Sequence, residues 1–141
     1  MSKIIGYTTG VFDLFHIGHL NILKKAKEHC DYLIVGVTTD DITFEMKGKR
    51  PVLSFEERLE IVNSIKYVDK AVAKKDIDNI AAWQELKFDV FFKGDDWKGT
   101  EKGWKLENYF AEFGVQVVYF PYTQGTSSSF LREVLNKIKI S

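Results

Sequence analysis

His16 and His19 flank Gly18 in the run Gly10-Val11-Phe12-Asp13-Leu14-Phe15-His16-Ile17-Gly18-His19. Two histidines three residues apart at a helix start can point the same way, and the glycine between them has no side chain to block an approaching phosphate. Their imidazole donors would add to exposed backbone N–H groups and the positive end of the helix dipole, forming an anion site suited to a triphosphate. Helix capping and a metal pair are the other readings of an isolated H-x-G-H. Zinc is disfavoured because no soft third or fourth ligand lies nearby. The third histidine, His29, falls at a helix C-terminus, where it complements the dipole. The common phosphate loops are absent: there is no G-x-G-x-x-G, and the Gly94 to Gly99 spacing continues Thr100-Glu101 where a Walker loop needs Lys-Ser/Thr.

The elements that must position these residues alternate regularly. Lys3 to Thr9, ending at Gly10, reads as a strand; Leu20, Leu23 and Ala26 mark a helix ending near His29; Tyr32 to Val37 is an apolar run of buried-strand length. Ser54-Phe55-Glu56-Glu57 has the form of a capping box that opens a helix through Ile65. Strands at Val68 to Ala73, Asp89 to Lys93 and Val115 to Phe120 then alternate with helices near 77–86, 104–113 and 127–138. Five strands alternating with helices predict a single α/β domain over 1–141, a doubly wound five-stranded parallel sheet of order 3-2-1-4-5. Ligands belong at the carboxyl ends of strands 1 and 4, where the winding reverses. The irregular segments 40–53, 94–102 and 121–126 follow strands and should emerge at that edge.

Bulk properties exclude other classes. Lys and Arg number 20 against 20 Asp and Glu, so coating a polyanion by bulk charge, nucleic acid included, is not expected. No apolar run is long enough to cross a bilayer, and the first residues do not read as a signal peptide, so a cytoplasmic protein is expected. The one cysteine, Cys30, cannot form an internal disulfide. An aromatic content of 14% is generous for covering a small monomer and suggests a homodimer. Of the 20 basic residues only Arg50, Arg58 and Arg132 are arginine, the better bidentate partner for phosphate. Arg58 falls in the first turn of a helix, where a cation opposes the dipole, so a substrate-phosphate or acceptor role is expected for it ahead of pairing with a carboxylate.

Four tracts taken in order resemble the motifs of the cytidylyltransferase family, over about Lys3 to Leu135. They are the H-x-G-H run, Lys47-Gly48-Lys49 before Ser54 to Arg58, Lys93-Gly94-Asp95-Asp96-Trp97, and Thr123-Gln124-Gly125-Thr126-Ser127-Ser128-Ser129. The resemblance implies a Rossmann-like nucleotidyltransferase fold and in-line attack of an acceptor's phosphate on the α-phosphorus of CTP, with pyrophosphate leaving. Carried over by motif, His16 and His19 would contact the triphosphate, Asp13 would order the site or its Mg²⁺, and Lys47 and Lys49 would reach phosphate oxygens. Gly10, Val11, Phe12, Gly18, Asp95, Thr123, Gly125, Ser127 and Ser128 would line the nucleotide, while Arg58, Lys66 and Tyr122 would face the acceptor. Where bacterial relatives acting on glycerol 3-phosphate read R-T-E-G-I-S-T, this chain has Tyr122 in the arginine position, and Lys66 also stands where they have arginine. The acceptor is therefore glycerol 3-phosphate or another small phosphorylated alcohol, amino alcohol or sugar. An ATP-dependent adenylyltransferase and a regulatory nucleotide-binding module are the alternatives.

Overall fold

The computed structural model describes residues 3–121 and 128–139, and in the last helix the side chains of 131–137. Its elements are β1 (Ile5–Gly10), α1 (Ile17–Glu28), β2 (Tyr32–Thr38), α2 (Asp40–Lys47), α3 (Phe55–Asn63), β3 (Lys70–Lys74), α4 (Asn79–Leu86), β4 (Val90–Gly94), a 3₁₀ turn (Asp95–Trp97), α5 (Glu101–Ala111), β5 (Gln116–Phe120) and α6 (Ser128–Lys139). All strand pairs are parallel, in the order β3-β2-β1-β4-β5. This is the predicted topology, and its reversal of winding falls between β1 and β4.

Alternation along the strands builds two apolar layers. Leu33, Val35 and Val37 of β2 join Val90, Phe92 and Phe120 on one face, beneath Leu23 and Ala26 of α1 and Val62 of α3. Ile34, Tyr7, Phe91 and Val115 face the other way, against Phe110 of α5 and the partly buried Ala82, Trp83 and Leu86 of α4. Residues 33–38 are all buried, as expected for a strand covered on both faces.

Two departures from the sequence reading stand out, one at the ligand edge and one at the amino edge opposite it. Residues 40–47, read as irregular, are helical: Thr39 Oγ1 accepts from Ile42 N–H, Asp40 and Asp41 occupy the first turn, and Gly48 ends the helix with φ 72. Helical periodicity missed it because only Thr43 is buried, so α2 has no apolar stripe against the core. The third strand begins at Lys70 rather than Val68. Residues 65–68 instead form a turn at the amino edge, where the Asp69 carboxylate accepts from Leu33 N–H at 2.8 Å.

Candidate active site

The loop from β1 to α1 is held in a contorted path. Phe12 and Leu14 both have positive φ, 55 and 51, and bracket Asp13. Asp13 is 3% exposed. Its Oδ2 accepts from Val52 N–H at 2.7 Å and its Oδ1 from Leu53 N–H at 2.9 Å, which pins the connection after α2. Arg132 Nη2 of α6 lies 2.8 Å from the same Oδ2. Burial alone would raise this carboxyl, but the Leu53 and Val52 hydrogen bonds and the Arg132 charge outweigh it and hold the group below its ordinary range.

His16 is the N-cap of α1, and the cap is reciprocal. Gly18 N–H donates to His16 Nδ1 at 3.0 Å, His19 N–H also points to the His16 ring, and His16 N–H donates back to His19 Nδ1 at 3.1 Å. With both Nδ1 atoms accepting, this hydrogen-bond network assigns the neutral rings to the Nε2–H tautomer. The sequence reading had exposed helix-end N–H groups adding to the imidazoles. Instead the imidazoles take up the Gly18 and His19 N–H groups, and the ring protons sit on Nε2.

The rings are packed together, with centroids 4.0 Å apart. His19 is further enclosed by Phe15 at 5.1 Å and Phe12 at 5.4 Å. Burial, reinforced by the neighbouring His16 and Lys47 and opposed by Asp13, pushes the His19 pKa down to about 4; burial lowers that of His16 too. Both rings are neutral at pH 7. The influence of Lys47 on His19 brings the last turn of α2 to the N-terminus of α1, with the exposed Lys49 just beyond.

Arg58 is not presented to any ligand, contrary to the acceptor-binding expectation. It is 0% exposed. Nη1 donates to the carbonyls of Val11 and Thr38, both at 2.7 Å, Nε to that of Leu53 at 3.0 Å, and Nη2 to Asp40 Oδ1 at 2.6 Å. The cation sits near the start of α3 because it ties together the loops after β1 and β2 and the chain before α3. Lys66 is likewise misplaced by the sequence reading: it lies between α3 and β3 at the amino edge, exposed, its Nζ 5.2 Å from the Tyr67 ring centroid. Phe12 turns its ring into the core, so only its backbone remains at the loop. The Gly10 carbonyl accepts from Thr38 Oγ1 at 3.1 Å, and Gly18 is buried in the cap.

Asp95 is exposed in the 3₁₀ turn at the carboxyl end of β4, at the expected edge. Tyr122, Thr123, Gly125 and Ser127 lie outside the described residues, as does the side chain of Ser128. Arg132 was missed as a site component because an arginine in an amphipathic helix reads as solvated surface; only the tertiary contact to Asp13 reveals it. The remaining arginine, Arg50, pairs with Asp41 at 3.3 Å on the surface. All three guanidiniums thus have internal partners.

Asp13 does not fit the metal-ligand role expected of it, because its oxygens already accept from two N–H groups and a guanidinium. Among the described residues no group of three or more His, Cys, Asp or Glu side chains converges on a cation position.

A relative from Bacillus subtilis strain 168, a glycerol-3-phosphate cytidylyltransferase, is 36% identical over 94% of this chain and 96% of its own. An FAD synthase from Thermococcus sibiricus is 32% identical over 97% and 93% of the two chains. Among solved structures, a lipopolysaccharide core biosynthesis protein from Thermoplasma volcanium GSS1 superposes with a TM-score of 0.72 at 30% identity, covering 89% of this chain and 100% of that one. The sequence model described as Cytidylyltransferase-like matches residues 7–134, from within β1 into α6. That span takes in the imidazole cap, the Asp13 junction and both Lys47 and Lys49, and the chain belongs to the cytidylyltransferase-like family.

Proposed function

We propose that the protein transfers a cytidylyl group from CTP to glycerol 3-phosphate or a closely similar phosphorylated alcohol, releasing pyrophosphate. The observation that carries this reading is the reciprocal imidazole cap, which packs two neutral rings with Nε2-bound protons at the start of α1 beside Lys47. The family and the relatives acting on glycerol 3-phosphate support the same reaction. An acceptor phosphate oxygen forms a bond to the α-phosphorus as the bond to the β-bridging oxygen breaks, and pyrophosphate carries away the electron pair. His16 and His19 bind triphosphate oxygens as neutral donors, and Lys47 and Lys49 supply the positive charge that the leaving group needs. Asp13 and Arg58 position the two loops. We further propose that Mg²⁺ arrives with the triphosphate rather than in a protein cage, and that the chain works as a cytoplasmic homodimer. No helix among the described residues is long and apolar enough to cross a membrane, and Trp104, 61% exposed, offers apolar surface to a second copy.

The test is pyrophosphate release with CTP and with ATP against a panel of phosphorylated acceptors. Turnover with CTP and glycerol 3-phosphate, lost in a folded His19→Ala variant, supports the assignment. Turnover with ATP alone overturns the nucleotide and favours adenylyl transfer, the chemistry by which an adenine nucleotide such as FAD is assembled.

A further inference from the structure

A second depression opens on the opposite face of the sheet from α1. It is a cavity of about 220 Å³ between β3 and α4, lined by Tyr7, Val72, Lys74, Ala81, Ala82 and Leu86, with Asp76, Asp78 and Glu85 also contributing. Drug-sized ligands need roughly 300 Å³ or more, so this volume suits a smaller molecule than a nucleotide. Lys74 is the last residue of β3, at the same carboxyl edge as the imidazole cap. It is only 6% exposed. Among the described residues its Nζ donates to one partner, the Ile77 carbonyl at 3.2 Å, and no carboxylate stands at ion-pairing distance.

A buried ammonium held by a single neutral acceptor has donors to spare for a ligand oxygen. Its nearest electrostatic neighbours sharpen the point. Burial and the Lys93 charge lower the Lys74 pKa, with Asp78 and Asp76 opposing them, so a second lysine bears on the same region from the end of β4. The floor is also built for polar contact. Gly36 lacks a Cβ that would stand within 2.2 Å of Tyr7 Oη, and this leaves the hydroxyl room beside Thr9. The carboxylates, by contrast, are exposed at the rim, and Asp78 Oδ1 already accepts from Ile80 N–H at 2.7 Å. A buried charge acts through a lower dielectric than exposed ones, so Lys74 dominates the field inside the cavity.

We propose that this cavity seats the carbon tail of the acceptor and that Lys74 selects an oxygen-rich, uncharged tail, a polyol phosphate, over a cationic one such as an amino-alcohol phosphate. The acceptor's phosphate lies toward Lys93 and its hydroxyls meet Lys74, Tyr7 and the rim carboxylates. This rests on the cytidylyl-transfer reading and goes further by naming a specificity residue.

Binding measured by calorimetry separates the two. Wild-type protein is expected to bind glycerol 3-phosphate at least tenfold more tightly than phosphocholine. Lys74→Met should weaken glycerol 3-phosphate at least tenfold, narrow that preference and leave CTP affinity within twofold. Ala81→Leu fills the cavity without touching the charge; it should likewise lose glycerol 3-phosphate and keep CTP. This second variant decides the matter if Lys74→Met does not fold. Equal wild-type affinity for the two phosphate esters, or undiminished glycerol 3-phosphate binding in either folded variant, overturns the proposal. If the binding pattern holds but CTP is not cleaved, the reaction reading fails and the cavity assignment stands. If CTP turns over with unchanged acceptor KM in both variants, the reverse is true.

Discussion

Arg132 and Asp13, separated by 119 residues, meet at 2.8 Å and join the last helix to the loop that carries the two histidines. Arg132 also shares Asp13 Oδ2 with the Val52 N–H, so one carboxylate holds three segments. Asp13→Ala strands two part-buried N–H groups and the guanidinium, whereas Arg132→Ala removes only one partner. In urea unfolding at pH 7 the first should cost about 3 kcal/mol and the second about 1 kcal/mol. Equal losses would show that the backbone contacts contribute nothing. The Asp13 contribution is present above the ordinary carboxyl range and is lost as pH falls through its lowered folded value.

His19 adds a slope of the same sign in a higher pH window. Its folded pKa of about 4 lies below the ordinary 6.5, so between these values the unfolded chain binds the additional proton. Stability should therefore decline as pH falls from about 6.5 and flatten below about 4. His19→Asn, which keeps an acceptor for His16 N–H but does not titrate, should flatten this part of the profile. Nitrogen chemical shifts that place either neutral ring in the Nδ1–H form would contradict the Nε2–H assignment.

Replacing Arg58 with lysine tests whether this residue is frame or ligand. One ammonium cannot satisfy three carbonyls and Asp40 together, and unfolding free energy should fall by about 2 to 4 kcal/mol. Acceptor KM in the surviving native fraction should stay within twofold. A raised acceptor KM at unchanged stability would restore a substrate-contact role.

Lys47→Ala should behave in the inverse way. The side chain is exposed at the end of α2, so melting temperature should hardly move, while kcat with CTP should drop roughly 10²-fold or more for the loss of a phosphate-stabilising charge. Retained kcat would move the catalytic charge elsewhere, with Lys49 the next candidate.

Gly36→Ala forces a Cβ to within 2.2 Å of Tyr7 Oη and should cost about 2 kcal/mol. Tyr7→Phe in the same chain removes the clashing oxygen and should restore part of that loss. Recovery will be incomplete because Tyr7 Cζ and Thr9 Oγ1 still stand at 3.0 and 3.2 Å.

The sheet order was legible because the strands and their covering helices carry apolar patterns that local sequence displays directly. The histidines were legible for a related reason: their spacing and their place after β1 are both local. What stayed hidden depends on distant partners. Arg58 is read correctly only when the carbonyls of Val11 and Thr38 and the Asp40 side chain are brought around it by the β1–α1–β2 crossover and the return of the chain through α2. Helix α2 was invisible for want of a core-facing stripe, although Thr39, the paired aspartates and Gly48 mark its ends. Lys74 stayed hidden because nothing in the sequence says that α4 will pack beside it.

The reciprocal cap also limits what substrates the site can activate. A general base needs a ring nitrogen with an available lone pair, yet each Nδ1 lone pair accepts a hydrogen bond from a backbone N–H and each neutral Nε2 already carries the ring proton. Neither histidine can deprotonate an incoming alcohol without undoing the start of α1. The nucleophile must arrive already ionised at neutral pH, which a phosphate monoester does and a bare hydroxyl does not. On the proposed reaction, helix capping thereby acts as a chemical filter, favouring acceptors that some earlier phosphorylation has prepared.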